Sequence, residues 1–264
     1  MSRTPRSMNV RSIPGAATAA VGALVFLYVP ILVTTVYAFN AGDKALVWEG
    51  FSTRWFGYVL SNDDLVSTAI TSVKLATIAT VLATLAAIAF VLAADSLRRT
   101  SGLAMALLSA PLVVPEIVLA VATLGFIRLI GLTPGMTALV LAHTAFCIPF
   151  ALMPIRARMT TLGDSVFEAS ADLGATTWPM LRRVTLPLLV PGIVSGALLS
   201  FVISMDDYLI SSFLSAAGST TLPVYLFGLI RRGASPAINV VAVLLLVLAA
   251  TVTTLTYLQQ RKRV

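Results

Sequence analysis

Leu65-VSTAITSVKLATIATVLATLAAIAFVLA-Ala94 is a thirty-residue run whose one charge is Lys74. An α-helix rises 1.5 Å per residue and the hydrocarbon core of a bilayer is about 30 Å thick, so about twenty apolar residues suffice to cross it. This run is longer than that and has no charged face, which predicts a membrane-spanning helix. The composition agrees. The 264 residues are 58% hydrophobic and 11% charged, with mean hydropathy +0.95. A soluble domain carries about 25% charged residues, and a disordered chain lacks apolar side chains to bury. Both classes are excluded.

Five further segments read as spans: Ala16–Phe39, Leu103–Ile130, Thr137–Ile155, Leu188–Met205 and Asn239–Leu258. Leu188–Met205 is the weakest, because Pro187 and Pro191 open it and Asp206-Asp207 close it. Pro30 is expected to kink the first span. The cations then divide by side. Arg3, Arg6, Arg11, Arg98, Arg99, Arg156, Arg158, Arg182, Arg183, Arg261, Lys262 and Arg263 fall on one side, against Lys44, Arg54, Arg231 and Arg232 on the other. Lys74 and Arg128 lie within or at the ends of spans, where they can snorkel. Cytoplasmic loops carry the excess of Lys and Arg, so both termini are expected in the cytoplasm, as an even number of spans requires. The net charge of +7 follows from this topology and calls for no nucleic acid. A basic stretch before an apolar run is also the form of a signal peptide. Here the run has 24 residues and no A-x-A site follows it, so an uncleaved first span is expected. The expected organisation is a tail at 1–15, a first helix at 16–39, a core at 60–258 with a cytoplasmic connection at 156–187, and a tail at 259–264. The fold class is an all-α polytopic membrane protein with six transmembrane helices.

Catalytic and metal chemistry is sparse. Cys147 is the single cysteine and His143 the single histidine, which excludes disulfide frameworks, paired-cysteine motifs and two-histidine zinc motifs. No catalytic or metal residue is expected. A Walker A loop places Lys after Gly, whereas Lys44, Lys74 and Lys262 follow Asp43, Val73 and Arg261. The chain cannot hold ATP through a P-loop. His143 lies mid-span in Leu141-AHTAFCIP-Phe150. It is either a proton relay or ligand, or a histidine bonded across the helix bundle.

The connection 156–187 reads as two short helices. Ser165-Val-Phe-Glu168 has the spacing of a capping box, in which the Ser165 hydroxyl accepts from the Glu168 N–H and the carboxylate reaches back. Phe167, Ser170 with Ala171, and Gly174 share a face at helical spacing. Gly174 after Leu173 suits the left-handed position that closes a helix. A second helix is expected from Thr176, with Pro179 in its first turn, ending at Leu186-Pro187. The hairpin could lie on the membrane, but its run of small residues, Ala169-Ser170-Ala171, suits docking into a protein groove better than insertion into lipid.

Glu168-Ala169-Ser170-x3-Gly174-x9-Val184-x-Leu186-Pro187 resembles the EAA loop of the permease subunits of type I ABC importers. The family pattern is E-A-A, three residues, G, nine residues, I-x-L-P, and the departures are Ser170 and Val184. The resemblance implies the type I importer permease fold and a bacterial plasma (inner) membrane location. It implies coupling to an ATPase dimer through Glu168, Ala169, Ser170, Gly174, Leu186 and Pro187; from its capping-box spacing Glu168 is either a cap alone or a cap that also couples. It implies no cofactor in this chain, since ATP and Mg belong to the ATPase. The other implied partners are a second permease subunit, an extracytoplasmic solute-binding protein and membrane lipid.

A charge at a helix centre costs about 2.5–3.5 kcal/mol on insertion scales, so each needs a reason. Glu116 lies in the third segment behind Pro111 and Pro115, which should bend or unwind that helix around a cavity. Asp206 and Asp207 follow the fifth segment. These carboxylates either line a path for a cationic solute or serve the structure, Glu116 by pairing with a neighbouring helix. Of the Asp pair, the expectation is one helix cap and one path residue. Tyr208, Phe201 and Phe213 could add cation–π contacts. Ser204-MDDYLISS-Phe213, Thr221-Leu-Pro223, Ser235-PAI-Asn239 and Ala142-HTAFCIP-Phe150 resemble the spermidine/putrescine permease subgroup, specifically its C-type subunit. This implies a polyamine as solute, with opines, amino-acid derivatives or phosphonates as alternatives; the candidate substrate path, read from the residues themselves, is Glu116, Asp206, Asp207 and Tyr208. A proton-coupled carrier using Glu116 and His143 is the rival class. Ala216-AGS-Thr220 is expected to be a flexible outward loop, followed by a re-entrant or interfacial helix over Leu222–Ile230. Gly192-x3-Gly196 is a close-packing motif, expected at the interface with the sister permease.

Overall fold

The computed structural model describes residues 15–94, 101–233 and 235–261. The expected tails, apart from Gly15 and residues 259–261, and the cations Arg98 and Arg99 lie outside the described residues. Twelve α-helices follow in order among those described: α1 Ala16–Tyr37, α2 Arg54–Ser61, α3 Asp63–Ala94, α4 Ser101–Ser109, α5 Glu116–Leu129, α6 Met136–Leu162, α7 Asp164–Asp172, α8 Thr177–Met180, α9 Leu186–Asp206, α10 Leu209–Leu214, α11 Leu222–Arg232 and α12 Pro236–Arg261. The only β feature among the described residues is one antiparallel bridge between Asn40 and Phe51. Four helical stretches are long and apolar enough to cross a membrane: Ala17–Tyr37, Asp63–Ala93, Met136–Leu162 and Thr177–Asp206. The sixth expected span lies in α12.

The chain divides into two compact units, residues 1–63 with 228–264, and residues 64–227. In the first unit α1 packs on α12. The stretch after α1 is knotted around Asn40, which is fully buried. Its amide donates to the carbonyls of Lys44 and Val47, and its Oδ1 accepts from the N–H groups of Gly42 and Glu49. One side chain thus satisfies four backbone groups that have no helix to satisfy them.

In the second unit, the third expected span proves to be two helices. Pro111 and Pro115 each remove a backbone donor. A short 3₁₀ turn over Ala110–Leu112 carries the chain out of α4, Pro115 is extended at ψ 132°, and α4 with its 3₁₀ turn meets α5 at 109°. The bend is sharp enough to make this a broken or re-entrant crossing.

The boundaries of the cytoplasmic connection also differ from expectation. Residues 156–162 continue α6, because hydropathy marks where the membrane ends while the helical hydrogen-bond ladder runs on into water. At the other end α8 does not stop at Pro187. A π turn over Leu181–Thr185 joins it to α9, giving a helical stretch from Thr177 to Asp206. A proline ring inside a helix clashes with the carbonyl four residues back. For Pro187 that residue is Arg183, which lies within the widened turn. The loop proper is therefore 163–176. The outward loop 215–221 is tied down as well: the Ser219 hydroxyl accepts from the Ala216 N–H at 2.9 Å, and Ser219 and Thr221 are buried.

The seam between α6 and α9 organises this unit. Gly192, Gly196, Ser200 and Ser204 recur every four residues on α9 and all are buried. They face α6 in antiparallel register, and from Gly196 onward each four-residue step along α9 is matched by four residues back along α6, to Ala151, Cys147 and His143. A Cβ on Gly192 would lie 2.7 Å from the Arg158 Cβ, and one on Gly196 would lie 2.5 Å from the Ala151 carbonyl oxygen. Ser200 and Cys147 exchange side-chain to backbone contacts, and Ser204 bonds His143. The glycine motif therefore packs within this chain, which corrects the expected sister-permease contact. Small residues let the backbones approach, and dispersion replaces the hydrophobic drive that lipid cannot supply. Buried alanines of α3 continue the core: Ala87 and Val91 pack with Ala151, Leu152 and Ile155. Gly196→Val should lower the stability of the purified protein by about 1–3 kcal/mol, read as a reduced thermal unfolding midpoint in detergent. Gly22→Ala, whose added Cβ meets nothing within 4 Å, should not lower that midpoint.

Candidate functional site

Two groups of expected residues lie at opposite ends of the helical stretch Thr177–Asp206. At its start is the connection 163–176. Gly163 leaves α6 at φ +68°, and α7 begins at once with Asp164. Ser165 therefore sits inside the first turn and not at the N-cap, so the expected capping box does not form. The helix simply starts two residues earlier than the box requires, at Asp164 where the box would open it at Val166. Phe167 and Ala171 lie on α7, but their side chains fall outside the described residues. Glu168 and Ala169 are exposed, and the Ser170 hydroxyl turns back to the Val166 carbonyl at 2.8 Å.

Gly174 closes α7 at φ +76°. The N–H of Ala175 donates to the Ser170 carbonyl at 3.1 Å, and that of Leu173 to the Ala169 carbonyl at 3.2 Å. The first of these is the six-to-one bond of a Schellman closure, and it requires the left-handed residue that Gly supplies without strain. Thr176 then precedes α8 in extended conformation. This turn displays two large apolar side chains that reading the sequence had passed over, Leu173 at 89% exposure and Trp178 at 68%. The signal was available: both flank the glycine turn in a loop otherwise rich in small and polar residues. Leu186 and Pro187 begin α9, beyond the π turn.

At the other end lie the carboxylates. Asp206 ends α9 and is exposed, whereas Asp207 is 5% exposed. Its Oδ1 accepts from the Ile210 N–H at 3.2 Å and its Oδ2 from the Ser211 N–H at 2.8 Å. Asp207 is thus the cap of α10, and its Oδ2 also lies 3.3 Å from His143 Nε2. The structure brings Glu116 near it: α5, which Glu116 opens, packs on α10, which Asp207 caps. Two helix breaks, the bend before α5 and the gap between α9 and α10, therefore meet at a pair of carboxyls. Tyr208 does not stand open to solute on both faces. Its ring packs at 4.4 Å from that of Phe227, while Phe213 packs against the apolar cluster of Leu75, Ile127, Leu139 and Leu214.

His143, in α6, is fully buried. Its Nδ1 lies 2.8 Å from the Ser204 hydroxyl and its Nε2 3.1 Å from the Ser211 hydroxyl. The histidine ties α6, α9 and α10 together. Serine, histidine and aspartate in contact are also the parts of a nucleophilic triad. Here Ser204 and Asp207 are at most 5% exposed and the ring is wholly enclosed, so no substrate can reach the hydroxyl. Ser204 and Ser211 were missed by the sequence reading; the four-residue period continuing from Gly192 and Gly196 was the clue to Ser204.

Residues 79–264 match the family described as binding-protein-dependent transport system inner membrane component. The chain belongs to this family of importer permease components. It is 36% identical over 238 residues to the spermidine/putrescine transport system permease protein PotC of Haemophilus influenzae, covering 90% of this chain and 93% of that one. It is 38% identical over 230 residues to the putrescine transport system permease protein PotI of Escherichia coli K12, covering 84% and 82%. The fold is similar to that of a chain in a bacterial ABC transporter that imports the acidic polysaccharide alginate, with TM-score 0.65, 19% identity and coverage of 98% and 99%.

Asp207 and Asp206 should behave oppositely when truncated. Asp207→Ala leaves two buried N–H groups and a buried imidazole without their acceptor and should cost about 3–5 kcal/mol of stability. Asp206→Ala, at an exposed helix end, should stay within about 0.5 kcal/mol of the wild type. Thermal unfolding of the detergent-purified proteins checks both.

Proposed function

We propose that this chain is a membrane-spanning permease subunit of an ATP-driven importer for a cationic polyamine of the spermidine/putrescine kind, delivered by an extracytoplasmic solute-binding protein. It carries out no chemistry itself; ATP is hydrolysed by a partner ATPase dimer, and a second permease subunit completes the path. Both termini face the cytoplasm. The observation that carries this reading is the near full-length similarity to polyamine permeases, in a chain whose two helix breaks converge on carboxyls. A path lined by Glu116 and Asp206 offers an alkylammonium group charge-assisted hydrogen bonds and disfavours anions. Asp207 serves this path by capping and holding, and Tyr208 by an aromatic edge beside it.

On the cytoplasmic side, the segment from Glu168 to Gly174 is the handle gripped by the ATPase, with Ala169 and Ser170 allowing close approach and Leu173 and Trp178 supplying apolar anchors. Leu186 and Pro187 join the handle to α9. Closure of the ATPases moves this handle, and the bundle alternates between inward-open and outward-open states.

In proteoliposomes holding the complete complex, ATP should drive spermidine uptake that a protonophore does not abolish. Glu116→Gln and Asp206→Asn should each lower it about tenfold, the loss of one charge-assisted bond. ATP-independent uptake, or uptake unchanged in both variants, would refute the reading. Gly174→Val places a branched side chain at φ +76°, which costs about 1–2 kcal/mol, in open space where no atom lies within 4 Å. The complex should still assemble, with ATP hydrolysis continuing and uptake lost. Full uptake in that variant would exclude the handle.

A further inference from the structure

We propose that residues 38–61, the stretch that follows α1 and includes α2, are an interfacial anchor. They seat the chain in the headgroup layer of the membrane, with Leu46, Phe51 and Leu60 reaching the acyl boundary. The anchor stands whichever solute is moved, and under the proposed orientation its leaflet is the outer one.

The segment is pinned to a membrane boundary from two directions. α1 has 22 residues, about 33 Å at 1.5 Å per residue, against a hydrocarbon core of about 30 Å. Its last residue, Tyr37, therefore lies at the edge of that core. The Trp48 ring packs edge-on against Tyr37, with centroids 6.0 Å apart. From the other direction Asn239, at the start of α12, donates to the Ala45 carbonyl at 3.2 Å, and α2 packs on α12. With the Asn40 knot inside it, the segment is held beside both helix ends.

What it displays there is apolar. Leu46 is 77% exposed, Phe51 73% and Leu60 67%, and Trp48 and Tyr58 add half-exposed rings. The rings are held in place. Phe51 stacks on Phe39 at 5.5 Å, and Tyr58 packs edge-on to Trp55 at 5.4 Å. Tryptophan and tyrosine suit the headgroup layer because the ring is apolar at one end and polar at the other. The four charges of the segment, Asp43, Lys44, Glu49 and Arg54, cancel. Arg54 pairs with Asp43 and lies over the Trp55 ring. Burial of apolar surface is then the force that draws the patch to a partner.

A lipid surface fits this patch better than a soluble protein does. A partner that docks and leaves in every cycle would return these side chains to water, and surfaces of that kind are about as polar as the rest of a protein. Lipid covers them throughout, as it does for interfacial helices. The neighbouring span supports the same cover: Phe26, Leu27 and Leu32 of α1 are exposed, and the contact of Tyr37 with Trp48 joins that span to the segment.

The test is site-directed spin labelling in proteoliposomes holding the complete complex. Leu46→Cys, Phe51→Cys and Leu60→Cys are labelled one at a time, Cys147 being buried, and the signal of the complex without the introduced cysteine is subtracted. Collision with oxygen, which concentrates in hydrocarbon, is compared with collision with a water-soluble nickel chelate present on both sides of the membrane. Oxygen should collide more often than the chelate at all three positions, and less often at Lys44→Cys, the polar reference. If Phe51→Cys, which gives up the stack on Phe39, fails to assemble, positions 46 and 60 decide. The anchor is overturned if the chelate collides more often at either of these, or if Lys44→Cys behaves as they do. It is also overturned if neither reagent reaches them, which means a protein cover, or if chelate access is lost only on adding spermidine-loaded binding protein, which makes the patch a docking face. With chelate on both sides a reversed orientation leaves the ratios unchanged, and a failed uptake assay does not alter them.

Discussion

The close approach of α6 and α9 is the constraint on which the second unit depends. Between lipid-embedded helices, apolar area gives no advantage, because acyl chains are as apolar as leucine. What remains is contact density and hydrogen bonding. The four-residue period Gly192, Gly196, Ser200, Ser204 supplies both in sequence. The glycine end gives backbone contact with Ala151, where even a methyl group has no room. The serine end gives hydrogen bonds to Cys147 and His143. One seam thus grades from pure packing into a polar network, and the network begins where the helix breaks must be stabilised.

Those breaks follow a common logic. Inside a membrane every backbone donor and acceptor needs a partner, and irregular backbone survives only where protein or a cavity supplies one. Among the described residues of the second unit, the helical backbone breaks around Pro111–Pro115, within the third expected span, and again at Asp207-Tyr208, just past the fifth. At the second, Asp207 satisfies the exposed donors of α10. At the first, Val113 and Val114 share the Ala110 carbonyl. A carboxyl that caps a helix in this setting carries a charge that itself needs support, and His143 gives it. Of the acids that look like solute ligands in a bare sequence, Asp207 thus maintains the break, whereas Asp206 is exposed and Glu116 partly buried.

Much of this was legible beforehand, and the gaps have physical causes. Apolar runs located the spans because hydrophobic length is a one-dimensional property. The left-handed closure at Gly174 was legible because a Schellman turn is local. Helix ends were less so: α6 runs on through Pro149 and Pro154 to Leu162, since what changes near Ile155 is hydropathy and the helix continues past it, and α7 starts at Asp164 because the reversal occurs at Gly163. The partner of Gly192-x3-Gly196 was not legible at all. A small-residue stripe states that something approaches closely, without stating what. The period matching Gly196, Ser200 and Ser204 to Ala151, Cys147 and His143 emerges only when two helices forty to sixty residues apart are set side by side. For the same reason His143 and the aspartate pair looked like separate questions, although they are one structure.

The helical continuity of α8 and α9 bears on how the Gly174 turn and the carboxyls are joined. Thr177–Asp206 is 30 residues long, about 45 Å at 1.5 Å per residue. The Gly174 turn and the exposed Trp178 stand at one end, and Asp206 and Asp207 at the other. In the proposed mechanism, force applied at the handle therefore reaches the carboxyls along a single covalent helix, with no loop between them to absorb it. The one compliant point is the π turn at Leu181–Thr185, where the hydrogen-bond ladder is widened ahead of Pro187. Beyond it, α9 is clamped to α6 along its small-residue face. Motion of α9 at the handle must then either carry α6 with it or shift the seam by a register step, and in either case His143 and the break it supports move together.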